Sequence, residues 1–556
     1  MKYILPLFVL LSVFSCKDMN ISNSKEVLWV GYDDSLEVAA NKTHENPRMQ
    51  YKLIQSKVLD KNDVFLPLQD VVSKISVSDY EKWKPFIMEQ NIPTIQANIK
   101  AGKISYEALV LFYLYRIYKY ELDNETTLNT ILALNKDVLH QARAYDKELF
   151  SSPDKVRHPI FGMPILLKDN IDTYGMKTTA GAIALMANET DDAFIVERLK
   201  ERGALILGKV NLSEWAYFLC SGCPVGYSAV GGQTLNPYGR RVFETGGSSA
   251  GSGTSIAANY AVAAVGTETS GSILSPSSQN SIVGLKPTIG LLSRSGIVPI
   301  SSTLDTPGPM TRNVVDNAIL LSAMTGKDLS DIKSVDTFKN YIEAVTSDSS
   351  LEGKRFGAFS DLIATDSIYA ATVEQLEASG ATVVVFTPKE LGLPGFLSIL
   401  NIDMKNDLPS YIQQNVKNKN EVNVTSIEDI IRFNQQDSLV RIPYGQALFE
   451  GIVADTTSSA ELKLIIADLE QKSRAYFDEI LEQDNLDAVL SINNYHAGYA
   501  AAAKYPALTV PMGYKSTGEP ISLTFIAKQF EEDKLLRLGA AFEKVTNIRK
   551  MPKGYN

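Results

Sequence analysis

Apolar and polar positions alternate along this chain in patterns that mark its elements. In ISYEALVLFYLYRIYKYE, Leu109, Phe112 and Ile117 recur at helical spacing behind Ser105, a residue suited to an N-cap, so the spacing predicts a helix. PIFGMPILLKDNID reads as a turn, a short buried strand through Ile165 to Leu167, and polar residues from Lys168 onward. ERLKERGALILGKVNLSEWA repeats a helix, a glycine and an apolar strand, and RFGAF, ATVEQLEASG and ATVVVF make a further strand-helix-strand unit. Together these predict a large α/β protein around a central sheet. Residues 16–85 are mixed in pattern, with KLIQSKVLDKNDVFLPLQDVVSK suggesting short strands or a small helix. We read them as an N-terminal extension of a main domain at 86–556.

The chain begins MKYILPLFVLLSVFSC: Lys2, largely apolar residues from Tyr3 to Phe14, then Ser15 and Cys16. That is the pattern of an export signal. The run is too short to span a bilayer of ~30 Å, and nothing later approaches ~20 uninterrupted apolar residues. A small residue before Cys16 resembles a bacterial lipoprotein cleavage box. It predicts removal of residues 1–15, acylation of Cys16, and a soluble body tethered to a membrane, facing the periplasm or the cell surface. A plain signal peptide with an incidental cysteine is the alternative. Lys plus Arg number 54 against 64 Asp plus Glu, a net charge of -10, which opposes the basic surface that nucleic acid requires. Nucleic acid is not an expected partner, and oligomeric state is not legible.

The remaining cysteines, Cys220 and Cys223, are spaced CSGC, and the four histidines are scattered without ligand spacing. No metal site is expected. The two thiols are open to a tight disulfide or to remaining inert; a redox-active pair is disfavoured because no thioredoxin-like pattern surrounds them.

The densest Gly/Ser stretch, TGGSSAGSGTSIAANYAVAAVGTETSGSILSPSSQNSIVGLKPTIG, carries the candidate chemistry. GGSSAGSG lacks the Gly-Lys-Ser/Thr ending of a nucleotide loop, and GSGTSI lacks a third dinucleotide glycine. Gly247-Ser248-Ser249-Ala250-Gly251 matches G-x-S-x-G, with His496 downstream as a possible base. An α/β-hydrolase elbow, however, sits between a strand and a helix, and NPYGRRVFET ahead of it reads as a loop. A third reading draws on more residues: Ser248, Ser272 and Lys168 converging as a Ser-Ser-Lys relay.

In GGSSAGSG, GTETSGSILSP, GLKPTIG and the upstream FGMPILLKDNID, taken in order, the chain resembles the amidase signature family over about residues 90 to 556. GGQTLNPY and YPALTVPMG bring it closest in look to the bacterial peptide amidases. The resemblance implies a large mixed sheet covered by helices on both faces. It makes Ser272 the nucleophile, Ser248 a bridging serine on a cis peptide bond, and Lys168 the base, with an oxyanion hole built from the backbone of Thr269, Ser270, Gly271 and Ser272 and no cofactor. Physical chemistry agrees, since a serine needs a base and a lysine serves only when neutral, a state that burial beside Ile165, Leu166 and Leu167 favours. The chain departs from GTDTGGSIR by Glu268 for Asp, Ser270 for Gly and Leu274 for Arg. A positive φ at Ser270 would strain the turn. Leu274 suits a neutral or apolar substrate better than an anionic one. Glu268, Asn170 and Asp172 read as supports rather than reacting groups, and Tyr217 and Phe218 as walls of the substrate site.

The expectation is therefore an exported hydrolase that releases ammonia or a small amine from a C-terminal peptide amide or another carboxamide through an acyl-enzyme. The competing readings are a non-catalytic surface lipoprotein that kept the fold, and an α/β-hydrolase using Ser249 and His496. The tRNA-dependent amidotransferase subunit of the same family is opposed by export and by acidity.

Overall fold

Short apolar runs become strands, and the amphipathic segments between them become the helices that cover those strands. The computed structural model describes residues 27–336, 339–346 and 350–556. The export signal and Cys16 lie outside the described residues. In chain order the strands are β1 (Ile131–Leu134), β2 (Pro164–Lys168), β3 (Leu205–Val210), β4 (Tyr227–Ser228), β5 (Gly232–Gln233), β6 (Ala263–Glu268) and β7 (Val283–Lys286), followed by β8 (Thr306–Thr311), β9 (Arg355–Phe359), β10 (Thr382–Phe386), β11 (Ala488–Ile492), β12 (Ala507–Tyr514) and β13 (Pro520–Ile526).

All but the β4–β5 hairpin join one sheet of 11 strands, in the order β1-β3-β2-β6-β8-β7-β12-β13-β11-β9-β10. It is mixed: β3, β2 and β6 run parallel, as do β11, β9 and β10, while the strands between β6 and β11 pair antiparallel. The α/β expectation holds. Strands β2, β3, β6 and β7 are buried at every position, as expected where helices cover both faces of a sheet.

Ser105 caps the helix Tyr106–Glu121 by accepting the Ala108 N–H at 3.0 Å. Buried within that helix, Arg116 donates to the carbonyls of Asn259 (2.9 Å) and Ala258 (2.8 Å), to the Tyr80 hydroxyl (2.7 Å) and to the carbonyl of Tyr555. Among its described residues the N-terminal segment forms helices and no strand. Asp60 caps the helix Lys61–Val72, whose Val64, Phe65, Leu68 and Val72 are buried. With Met49, Ile54, Tyr80 and Ile87 those residues join the same hydrophobic core as the sheet. No helix among the described residues is long and apolar enough to cross a membrane.

Candidate active site

Lys168 ends β2, and the parallel pairing of β2 with β6 sets Leu167 opposite Val265, so the ends of both strands meet at one point. Fully buried there, the Lys168 Nζ lies 2.8 Å from Ser248 Oγ, 2.8 Å from Thr267 Oγ1 and 3.2 Å from the Thr267 carbonyl. Burial pulls the ammonium down to about 7, against the opposing pull of the Asp305 and Glu268 carboxylates.

Ser248 follows a cis Gly247–Ser248 peptide bond, and its carbonyl accepts the Ser213 N–H at 3.0 Å. The next amide, Ser249, donates to the Ser272 carbonyl at 3.2 Å. The serine loop and the turn after β6 are thereby tied at adjacent residues. Ser272 is partly exposed, and its hydroxyl has no hydrogen-bond partner among the described residues.

Glu268 holds that turn from inside. Its Oε1 accepts the Gly271 N–H at 2.7 Å, and its Oε2 accepts those of Ile273 at 2.7 Å and Leu274 at 3.0 Å. This engages the Gly271 amide, one of the four expected oxyanion donors. The left-handed conformation falls on Gly271 (φ +83°) and not on Ser270, so the serine there introduces no backbone strain. Thr269 donates its hydroxyl to Asp305 Oδ1 at 2.5 Å, binding the turn to the segment before β8.

Asn170 donates Nδ2 to Thr267 Oγ1 at 3.0 Å, while Asp172 accepts from the Tyr411 hydroxyl at 2.6 Å and from Asn415 at 3.1 Å. Burial pushes the Asp172 carboxyl up to about 7. Beside them the buried Lys209 pairs with Asp169 at 3.3 Å and donates to the Ile171 carbonyl at 2.7 Å.

The segment Trp215, Ala216 and Tyr217 adopts left-handed φ of 51°, 54° and 75°. Such a run costs about 1–3 kcal/mol per residue and persists only where the surroundings impose it. Here the Trp215 N–H is held by the Ala180 carbonyl at 2.9 Å, and the Tyr217 hydroxyl donates to the Cys223 carbonyl at 2.7 Å. Cys220 and Cys223 are joined by a disulfide, with Cα atoms 5.9 Å apart. Phe218 lies in a hydrophobic cluster with Trp215, Met404 and Phe449 and is 5% exposed. Phe218, expected on the substrate wall, packs within that cluster.

Ser249 and His496 are not brought together. The Ser249 hydroxyl donates to the Thr267 carbonyl at 3.1 Å, whereas the His496 ring stacks on Phe359 at 4.1 Å and its Nδ1 meets Ser491 Oγ at 2.6 Å. Turns precede Ser249, so the hydrolase elbow fails for want of a strand leading into it. Thr267 and Asp305 are the functional candidates that sequence reasoning missed. Thr267 sat inside the quoted GTETSGSI motif and carried a signal; Asp305, in LDTPGP, carried none.

The sequence profile of the amidase family matches residues 108–491. A protein of Arabidopsis thaliana named "Probable amidase" is 35% identical over 489 residues, covering 84% of this chain and 92% of the relative. Among solved structures, an amidase family protein from Bacillus anthracis superposes with a TM-score of 0.84 at 37% identity, covering 90% of this chain and 100% of that one. The native peptide amidase of Stenotrophomonas maltophilia superposes with a TM-score of 0.77 at 34% identity, covering 84% and 98%.

Proposed function

The chain belongs to the amidase family and is an amide-hydrolysing enzyme, and from that premise we propose that it works through Ser272, Ser248 and Lys168 by way of an acyl-enzyme. The observation that carries the reading is the 2.8 Å contact between Ser248 and a fully buried lysine whose ammonium is pulled down to about 7. A lysine of that kind is substantially neutral near neutral pH and can take a proton.

In the proposed sequence Ser272 Oγ attacks the amide carbonyl while its proton passes through the Ser248 hydroxyl to Lys168 Nζ. The tetrahedral oxyanion meets backbone N–H groups of the turn after β6. With Gly271 committed to Glu268, the amides of Thr269, Ser270 and Ser272 are left for that task. Collapse breaks the C–N bond, and Lys168 returns the proton through Ser248 to the departing nitrogen. Water, deprotonated along the same relay, then releases the acid. Glu268 and Asn170 act by positioning, the first on the turn and the second on Thr267.

The likeness to the Stenotrophomonas peptide amidase supports a C-terminal peptide amide as substrate, with simpler carboxamides as the broader class. The test is ammonia release from amidated peptides and simple carboxamides by the purified protein, with Ser272→Ala alongside. Turnover that survives in Ser272→Ala overturns the assignment of the nucleophile. The same reading keeps Cys16 as a lipid anchor, and fatty-acid labelling that persists in Cys16→Ala overturns that part.

A further inference from the structure

A cavity of about 250 Å³ adjoins the site and is lined in part by Asn170, Thr267 and Thr269. Its lining is rich in acceptors. Asn170 is 2% exposed and uses its Nδ2 on Thr267, yet its Oδ1 has no hydrogen-bond partner. The reverse amide orientation would set that oxygen against the Val298 carbonyl. Asp407, from the helix Phe396–Asn415, accepts the Ser302 N–H through Oδ2 at 2.7 Å, and burial together with nearby Asp403 raises its carboxyl above the usual range.

Charge points the same way. Four carboxylates gather around the cavity: Asp305, Asp331, Asp403 and Asp407. Two cations face them, Arg294 and Lys333. Arg294 is taken by Asp331, with its Nε at 3.0 Å, and by the Ser302 carbonyl, to which Lys333 also donates. Asp403 accepts from Ser301 Oγ at 2.5 Å and the Thr303 N–H at 3.1 Å, and Asp305 accepts from Thr269, Ile300 and Ser301. The cavity therefore presents a carboxyl group, Asp407, that forms no ion pair among the described residues, and a buried acceptor without a donor, a combination that a cationic donor would satisfy. No group of three His, Cys, Asp or Glu side chains among the described residues is placed to hold a metal ion.

We propose that this cavity is a subsite for a protonated primary amine carried on the acyl part of the amide substrate, with Asp407 as counter-ion and Asn170 Oδ1 as acceptor. The amine lies on the acyl side because the other side departs as ammonia or a small amine. The proposal rests on the reading of Ser272 as nucleophile for its catalytic meaning, though not for binding.

Two measurements on the full chain test it. The first compares kcat/KM for ω-aminoalkanamides with alkanamides of equal length. The charged series is expected to be favoured about tenfold or more, and Asp407→Asn to bring the ratio towards one, with Asp407→Glu retaining most of it. The second measures the thermal midpoint of Ser272→Ala in n-butylammonium chloride against sodium chloride at equal ionic strength. A rise is expected that Asp407→Asn abolishes. Equal kcat/KM for the two series, or an ammonium effect that ignores Asp407, overturns the subsite while leaving amide hydrolysis intact. No turnover of any amide, alongside an Asp407-dependent shift, overturns the nucleophile reading and leaves the subsite standing.

Discussion

Thr267→Val is a sharp test of how the lysine is kept ready. Thr267 Oγ1 accepts from Lys168 Nζ at 2.8 Å and from Asn170 Nδ2 at 3.0 Å, and valine keeps the shape while removing the acceptor. An ammonium has three hydrogens to place and finds three oxygens here: Ser248 Oγ, Thr267 Oγ1 and the Thr267 carbonyl. A neutral amine has only two, so losing one oxygen penalises the charged form more. A hydrogen bond to a charged group contributes about 1.5–3 kcal/mol and a neutral one about 1 kcal/mol, a difference worth roughly one pKa unit. Lys168, already pulled to about 7 by burial, should fall by that further amount. With the neutral amine as the proposed base, activity appears as pH rises through this pKa, and the acid limb of kcat/KM is expected to move to lower pH by roughly one unit. The orphaned Asn170 amide should also cost about 1–3 kcal/mol of stability, read by denaturant unfolding. The assay is kcat/KM for a neutral carboxamide across the neutral range. A limb that stays in place while stability falls would refute the reasoning, since the titrating group would then not be the lysine that Thr267 holds.

Further outcomes follow from other contacts. Gly271→Ala forces a side chain onto φ +83° and sets its Cβ 3.0 Å from Asn494 Nδ2; it should cost about 1–2 kcal/mol and lower kcat out of proportion to stability, and wild-type kcat would show that the turn is not part of the machinery. Replacing Cys220 and Cys223 with alanine opens a four-residue loop, for which the chain-entropy relation gives about 2 kcal/mol, and urea unfolding with and without reductant should show the same difference for the native protein. Arg116→Met leaves the acceptors at Ala258, Asn259 and Tyr555 unmet and should destabilise by about 3–5 kcal/mol; a change under 1 kcal/mol in denaturant titration would mean that water replaces the guanidinium.

The parts of the site visible in the sequence are those with local signals. Lys168 stands where an apolar run turns polar, and the two serines stand in glycine-rich turns whose order along the chain is distinctive. Thr267 lay inside a quoted motif but its part beside Lys168 did not show there, and Asp305 became visible only through the sheet, because β6 lies between β2 and β8, an adjacency no spacing encodes. The condition under which Ser270 would strain the turn is not met, since the left-handed position falls on Gly271, and a motif does not show which residue of a turn takes it. The helix Lys61–Val72 was ambiguous because Pro67 interrupts its interior, and packing of Phe65 and Leu68 into the core settles what propensity left open.

The buried guanidinium of Arg116 also bears on how the protein is made. Its acceptors come from Tyr80, from the loop at Ala258 and Asn259, and from Tyr555, 439 residues beyond Arg116. During synthesis the first two become available long before the last. The guanidinium therefore has its full set of acceptors only once the segment around Tyr555 has been made, and this part of the core closes late in synthesis. Truncation ahead of Tyr555 would remove that closing contact, whereas replacing the Tyr555 side chain would leave it in place, because the acceptor is a backbone carbonyl.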